Sequence, residues 1–205
     1  MLLRVELPDR PGSLGAVATA LGSVGADILA IEIVEKGDGA AIDDFMVELP
    51  PAMQPDALVS ACTAIPGCRV LYVSRHQETW GIESDIVTLN RMTAAPERDA
   101  EILLEAAPTV FHSQWAALID ATRSEVIMST ELAPEFDGAG LAMLAPFDGA
   151  HRLDLPTGWV DSWPATTAAV APLARGRAIV LGRAGGPQFL DSELNRLAHL
   201  ARLAH

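Results

Sequence analysis

Aromatic residues make up only 5% of the 205-residue chain, so its cores must be aliphatic. Positive charge is scarce as well. The chain holds 14 Lys and Arg against 27 Asp and Glu, for a net charge of −13, and Lys36 is its single lysine. Such a surface repels phosphate backbones, which excludes nucleic acid and anionic membranes as expected partners. Cysteine is nearly absent. Cys62 and Cys68 have no CxxC spacing and no histidine nearby, so neither a zinc site nor a disulfide framework is expected. Cys62 falls on the apolar face of a predicted helix and reads as a buried thiol. No charged leader with an apolar run opens the chain, and no segment approaches the ~20 apolar residues that span a bilayer. A cytoplasmic location is the expectation. Catalytic signatures are missing too: there is no GxSxG, HExxH or Walker motif. His76, His112, His151, His199 and His205 are scattered without metal spacing. A protein with no cofactor, no metal and no enzymatic activity is expected.

What is present is apolar patterning. Half of the residues are hydrophobic, enough for one large domain or two small ones. Leu3, Val5 and Leu7 alternate with Leu2, Arg4 and Glu6 in a strand that Pro8 ends. Pro11 and Gly12 open a helix, where a missing N–H costs nothing. Leu14, Val17, Ala18 and Leu21 form its apolar stripe, and Gly22 and Gly25 stop it. Residues 28–35 are a β-branched strand with Leu29, Ile31 and Ile33 on one face. Residues 36–39 are a hairpin turn, and Phe45, Val47 and Leu49 alternate in the next strand. Asp43 and Asp44 at its start point to opposite faces and read as solvated. A second helix carries Leu58, Ala61, Cys62 and Ile65, and residues 70–74 are a last strand. The order βαββαβ makes a ferredoxin-like sandwich, an α+β fold.

The run Asp9-Arg10-Pro11-Gly12-Ser13-Leu14, followed one helix later by Gly25-Ala26-Asp27-Ile28, resembles the ligand-binding corner of an ACT domain. The resemblance covers residues 1–75. It implies side-by-side pairing into a homodimer, with an amino acid or related small molecule at the seam. The implied ligand residues are Asp9, Arg10, Pro11, Gly12, Ser13, Leu14, Asp27 and Ile28. The backbone N–H groups of Gly12, Ser13 and Leu14 would receive a carboxylate at a helix start. Asp9 and Asp27 stand where serine-sensing members often carry Asn. An ionised aspartate accepts only, so it suits an ammonium group. The plainer reading of Asp9 is a turn or cap residue, and of Asp27 a strand start.

Residues 76–97 read as a helical linker, with Ile82, Ile86 and Leu89 at helical spacing. Pro96 opens a further helix that Pro108 ends. From Ser113 the period switches to two. Strands are expected at 115–119, 125–130, 141–145 and 177–181, with a long loop over 146–172 and an amphipathic helix over 189–205. This order resembles a GAF domain over residues 98–205, an antiparallel sheet with flanking helices. The terminal helix reads as packed on its own sheet, with a dimer face as the alternative. Gly182-Arg183-Ala184-Gly185-Gly186 lacks the spacing of a phosphate loop and reads as a β-to-α turn. Trp159 and Trp163 read as core cover.

The expected function is that of a non-enzymatic regulator that binds an amino acid at an ACT dimer interface. Two alternatives stay open: ligand sensing by the GAF-like domain with ACT as dimeriser, or a ligand-free subunit that docks on a protein partner.

Overall fold

The computed structural model describes residues 1–74 and 82–204. The expected linker start at 76–81 and the last residue, His205, lie outside them. The chain divides into two compact units, Met1–Glu78 and Thr79–His205.

The first unit follows the βαββαβ pattern. Its elements are β1 (Leu2–Pro8), α1 (Ser13–Ser23), β2 (Asp27–Gly37), β3 (Ala40–Glu48), α2 (Asp56–Thr63) and β4 (Arg69–Ser74). The strands form one antiparallel sheet in the order β2-β3-β1-β4. Leu3, Val5 and Leu7 of β1 join Ala41, Phe45 and Val47 of β3 on one face. Val17 and Leu21 of α1 and Leu58 and Cys62 of α2 cover them. The buried Cys62 thiol is pushed up to about 11 by desolvation. Along β2 the register slips between Ile28 and Ala30 and again between Ile33 and Glu35. Leu29 therefore leaves the alternation, and Ile28, Ile31 and Ile33 stand opposite Val47, Phe45 and Asp43.

The second unit holds α3 (Ile82–Ala94), α4 (Asp99–Val110), β5 (Trp115–Asp120), β6 (Glu125–Ser129), α5 (Gly138–Met143), β7 (His151–Leu155), β8 (Thr166–Leu173), β9 (Arg177–Ala184) and α6 (Asp191–Leu203). Its five strands form an antiparallel sheet in the order β6-β5-β9-β8-β7. Both faces of this sheet are buried. Leu118, Ile179 and Leu181 face Leu103 and Ala107 of α4 and Leu197 and Ala201 of α6. Trp115, Ala117 and Val180 face Leu141, Leu144, Trp159 and Val160 from the segment between β6 and β8. The terminal helix is thus packed on its own sheet.

Four expectations need correction. The strand expected at 141–145 is the helix α5. Asp137 caps it, accepting from the Gly140 N–H at 2.6 Å, and the short apolar run alone could not separate helix from strand. The loop expected over 146–172 contains β7 and most of β8. Seven of the eight residues of β8 are buried, on both faces of the sheet, so they show no alternation. The helix expected as part of a linker belongs to the second unit, where Met92 and Leu89 pack into the core while Ile86 and Val87 are exposed. Pro108 lies inside α4, which continues to Val110. Among the described residues, no helix is long and apolar enough to cross a membrane.

Candidate functional site

The end of β1 turns sharply before α1. Asp9 donates its N–H to Gly39 O at 2.9 Å, which ties this turn to the hairpin between β2 and β3. Gly12 immediately precedes α1 with φ 92° and ψ −16°. That left-handed conformation costs little only for glycine. A Cβ there would meet nothing within 4 Å, so conformation rather than crowding calls for the glycine. At the start of α1 the Ser13 N–H donates to Arg10 O at 3.2 Å and the Ala16 N–H to Gly12 O at 2.9 Å, which leaves the N–H groups of Leu14 and Gly15 without an intrahelical carbonyl and with partial positive charge to offer.

A cavity of about 380 Å³ opens beneath this turn. Pro8, Asp9, Arg10, Pro11, Gly12, Ser13 and Leu14 wall it. Leu7, Ile33, Lys36, Ala41 and Asp43 supply the remaining wall. Lys36 Nζ donates to Asp9 Oδ1 at 2.8 Å, and this hydrogen bond raises the lysine above its ordinary value. Residues 10–13 also border a second hollow of about 340 Å³ on the other side of the loop, against Ile65, Pro66 and Cys68.

Ile33, Lys36, Ala41 and Asp43 are absent from the motif reading. Asp43 and Asp44, expected at a solvated strand start, are 2% and 3% exposed. They do point to opposite faces. Asp44 accepts from Arg4 Nε and Nη2, each at 2.8 Å, in a buried two-pronged pair. Asp43 stands opposite Val5 and Ile33. The signal for it was available: residues 41, 43, 45 and 47 are every second residue of one strand, and the last two were already read as core.

Asp27 and Ile28 do not meet this cavity within one chain. Asp27 is exposed and pairs with Glu48, whereas Lys36 and Gly37 pair with Ala41 and Ala40 beside the turn. The eleven residues of β2 separate the two groups by about 30 Å at the usual strand rise.

In the second unit, the Gly182–Gly186 stretch is committed to internal bonding. Arg183 Nη2 donates to Glu193 Oε1 at 2.8 Å and to Phe111 O, and Nε to His112 O at 3.2 Å. Both side chains of the ion pair are buried. Arg183 thus locks the β9-to-α6 turn and faces no anion site. Trp115, Phe136, Trp159 and Trp163 form a ring cluster with centroids 5.6–6.3 Å apart. Beside it lies an apolar hollow of about 450 Å³ lined by Gln114, Leu132, Ser162, Trp163, Pro164 and Ala184. No group of His, Cys, Asp and Glu suited to a metal ion occurs among the described residues.

Comparison with known proteins bears on the first unit. Residues 1–67 match the family model described as the ACT domain. The chain is similar to NAD-dependent malic enzyme 1 of Bacillus subtilis (strain 168), with 36% identity over 73 residues. That match covers 35% of this chain and 17% of the malic enzyme, so the similar stretch is a small part of that relative. Among solved structures, an unknown protein from Galdieria sulphuraria matches at 15% identity and a TM-score of 0.29. The match covers 97% of this chain and 89% of that one, and so low a score supports no structural argument. The N-terminal unit, with its βαββαβ sheet and its cavity under the glycine turn, carries an ACT domain at residues 1–67.

Proposed function

We propose that this protein is a non-enzymatic regulator that binds an amino acid at the seam of an ACT homodimer in the cytoplasm. The observation that carries the reading is the cavity walled by residues 9–14 in a domain whose family implies regulatory small-molecule binding. The similarity to malic enzyme is confined to about a third of this chain, and no catalytic activity is taken from it.

Dimerisation explains the separation of the two motif halves. β2 is an edge strand, a template for pairing with another strand. Leu29, Ile31 and Ile33 on it are 59%, 39% and 51% exposed. Two copies joined antiparallel through β2 would bring Asp27 and Ile28 of the partner subunit beside the cavity. The ligand would then touch both chains, and its binding would favour one placement of the C-terminal units over another.

Thermal unfolding across the twenty amino acids tests the reading. One of them at ~100 times its dissociation constant should stabilise the protein by ~2.7 kcal/mol. Gly12→Val should remove that shift, because valine cannot adopt the turn's φ without strain. A flat panel on folded protein would reject amino-acid binding.

The apolar hollow beside Trp163 supports a second reading, in which a GAF-like second unit senses the ligand and the ACT domain only dimerises. Loss of a ligand-induced shift in Trp163→Ala, with Gly12→Val unaffected, would favour it.

A further inference from the structure

Asp43 is a buried carboxylate that the fold leaves incomplete. It is 2% exposed, and its Oδ1 has no hydrogen-bond partner among the described residues. Its neighbours across the sheet, Val5 and Ile33, are apolar. Burial pushes the carboxyl above its ordinary value of 3.8, and only partly does the nearby Lys36 charge oppose this. Lys36 itself donates to Asp9. A buried acceptor without a donor is costly, and Asp43 carries that cost on the wall of the cavity under α1.

We propose that Asp43 is the ammonium acceptor of this cavity: a bound amino acid donates from its α-ammonium group to the Asp43 carboxylate while its α-carboxylate meets the start of α1. The proposal rests on the amino-acid reading above and adds the residue that reads the ligand's positive end. The wall of the cavity carries groups of opposite polarity. The first-turn N–H groups of α1 favour an anion, and Asp43 favours a cation. Asp9, the other acid in the wall, is already paired with Lys36. A zwitterion satisfies both kinds of group at once. A ligand with only a carboxylate would bury Asp43 further without a donor.

Titration calorimetry on the full chain tests this, using the L-amino acid with the largest thermal shift and the 2-hydroxy acid of the same side chain. Asp43→Asn should weaken amino-acid binding roughly tenfold to a hundredfold, the range of a charged hydrogen bond. The hydroxy acid should bind the unaltered protein more weakly by a similar factor and should lose nothing further in Asp43→Asn. Amino-acid binding retained in Asp43→Asn would overturn the assignment while leaving the amino-acid reading intact. Equal binding of the two ligands to the unaltered protein would overturn it as well. A panel in which no amino acid binds would overturn both.

Discussion

Asp43 and Asp44 are sequence neighbours with opposite fates. Asp44 meets the Arg4 guanidinium directly across β1 and β3 and is doubly hydrogen-bonded. Asp43 turns to the face that carries Phe45 and Val47, where nothing of the sort waits for it. The folded protein therefore holds the Asp43 proton more tightly than the unfolded chain does. A carboxyl raised in this way adds stability below its unfolded value, and that stability is lost as pH rises through the folded value. From 3.8 upward the contribution should fade, and at neutral pH the ionised group should be a net burden on the ligand-free fold. Asp43→Asn should then be more stable than the unaltered protein at pH 7, with the difference shrinking toward pH 3. Denaturant unfolding of both proteins across that range checks this. A difference that does not change with pH would show that burial of the charge is not the cause.

At the level of elements, β2 offers the clearest test. An edge strand bearing exposed Ile31 and Ile33 has an aggregation hazard unless something covers it. If a second copy covers it, Leu29→Lys with Ile31→Lys, neither of them in the cavity wall, should turn a dimer into a monomer in sedimentation experiments. The monomer should also bind the amino acid far more weakly, since Asp27 and Ile28 would come from the partner subunit. Elements of the first unit were legible in sequence because each apolar stripe faces one neighbour: Leu3, Val5 and Leu7 alternate, and Val17 and Leu21 repeat at helical spacing. The same logic failed where burial is two-sided. In β8, Ala168 and Val170 face one core and Ala169 and Ala171 the other, so no period appears. The apolar run of α5 is too short to show any period. Legibility of the cavity follows the same divide. The turn residues 9–14 announce it through Pro and Gly chemistry, whereas Lys36, Ala41 and Asp43 reach it only through strand register.

The whole molecule contains two units with separate cores, and this predicts how it should unfold. Multi-domain proteins need not melt in one cooperative step. Gly182 provides a probe confined to the second unit. It stands directly opposite Trp115 on the neighbouring strand, and a Cβ there would come 2.0 Å from the indole ring. The ring has no room to yield, because Trp159 stacks on one side and Phe136 and Trp163 meet it edge-on. Gly182→Ala should therefore cost about 1–3 kcal/mol, the usual penalty of overpacking, and lower the melting temperature by several degrees. Calorimetry should show two transitions, with Gly182→Ala moving one and an amino-acid ligand of the ACT cavity moving the other. If both perturbations shift a single transition, the two units unfold together, and ligand binding in the first is energetically coupled to the second. That coupling is one route by which the N-terminal site could act on the C-terminal unit; the other, a ligand-dependent placement of subunits in the dimer, needs no shared unfolding step and is compatible with two transitions.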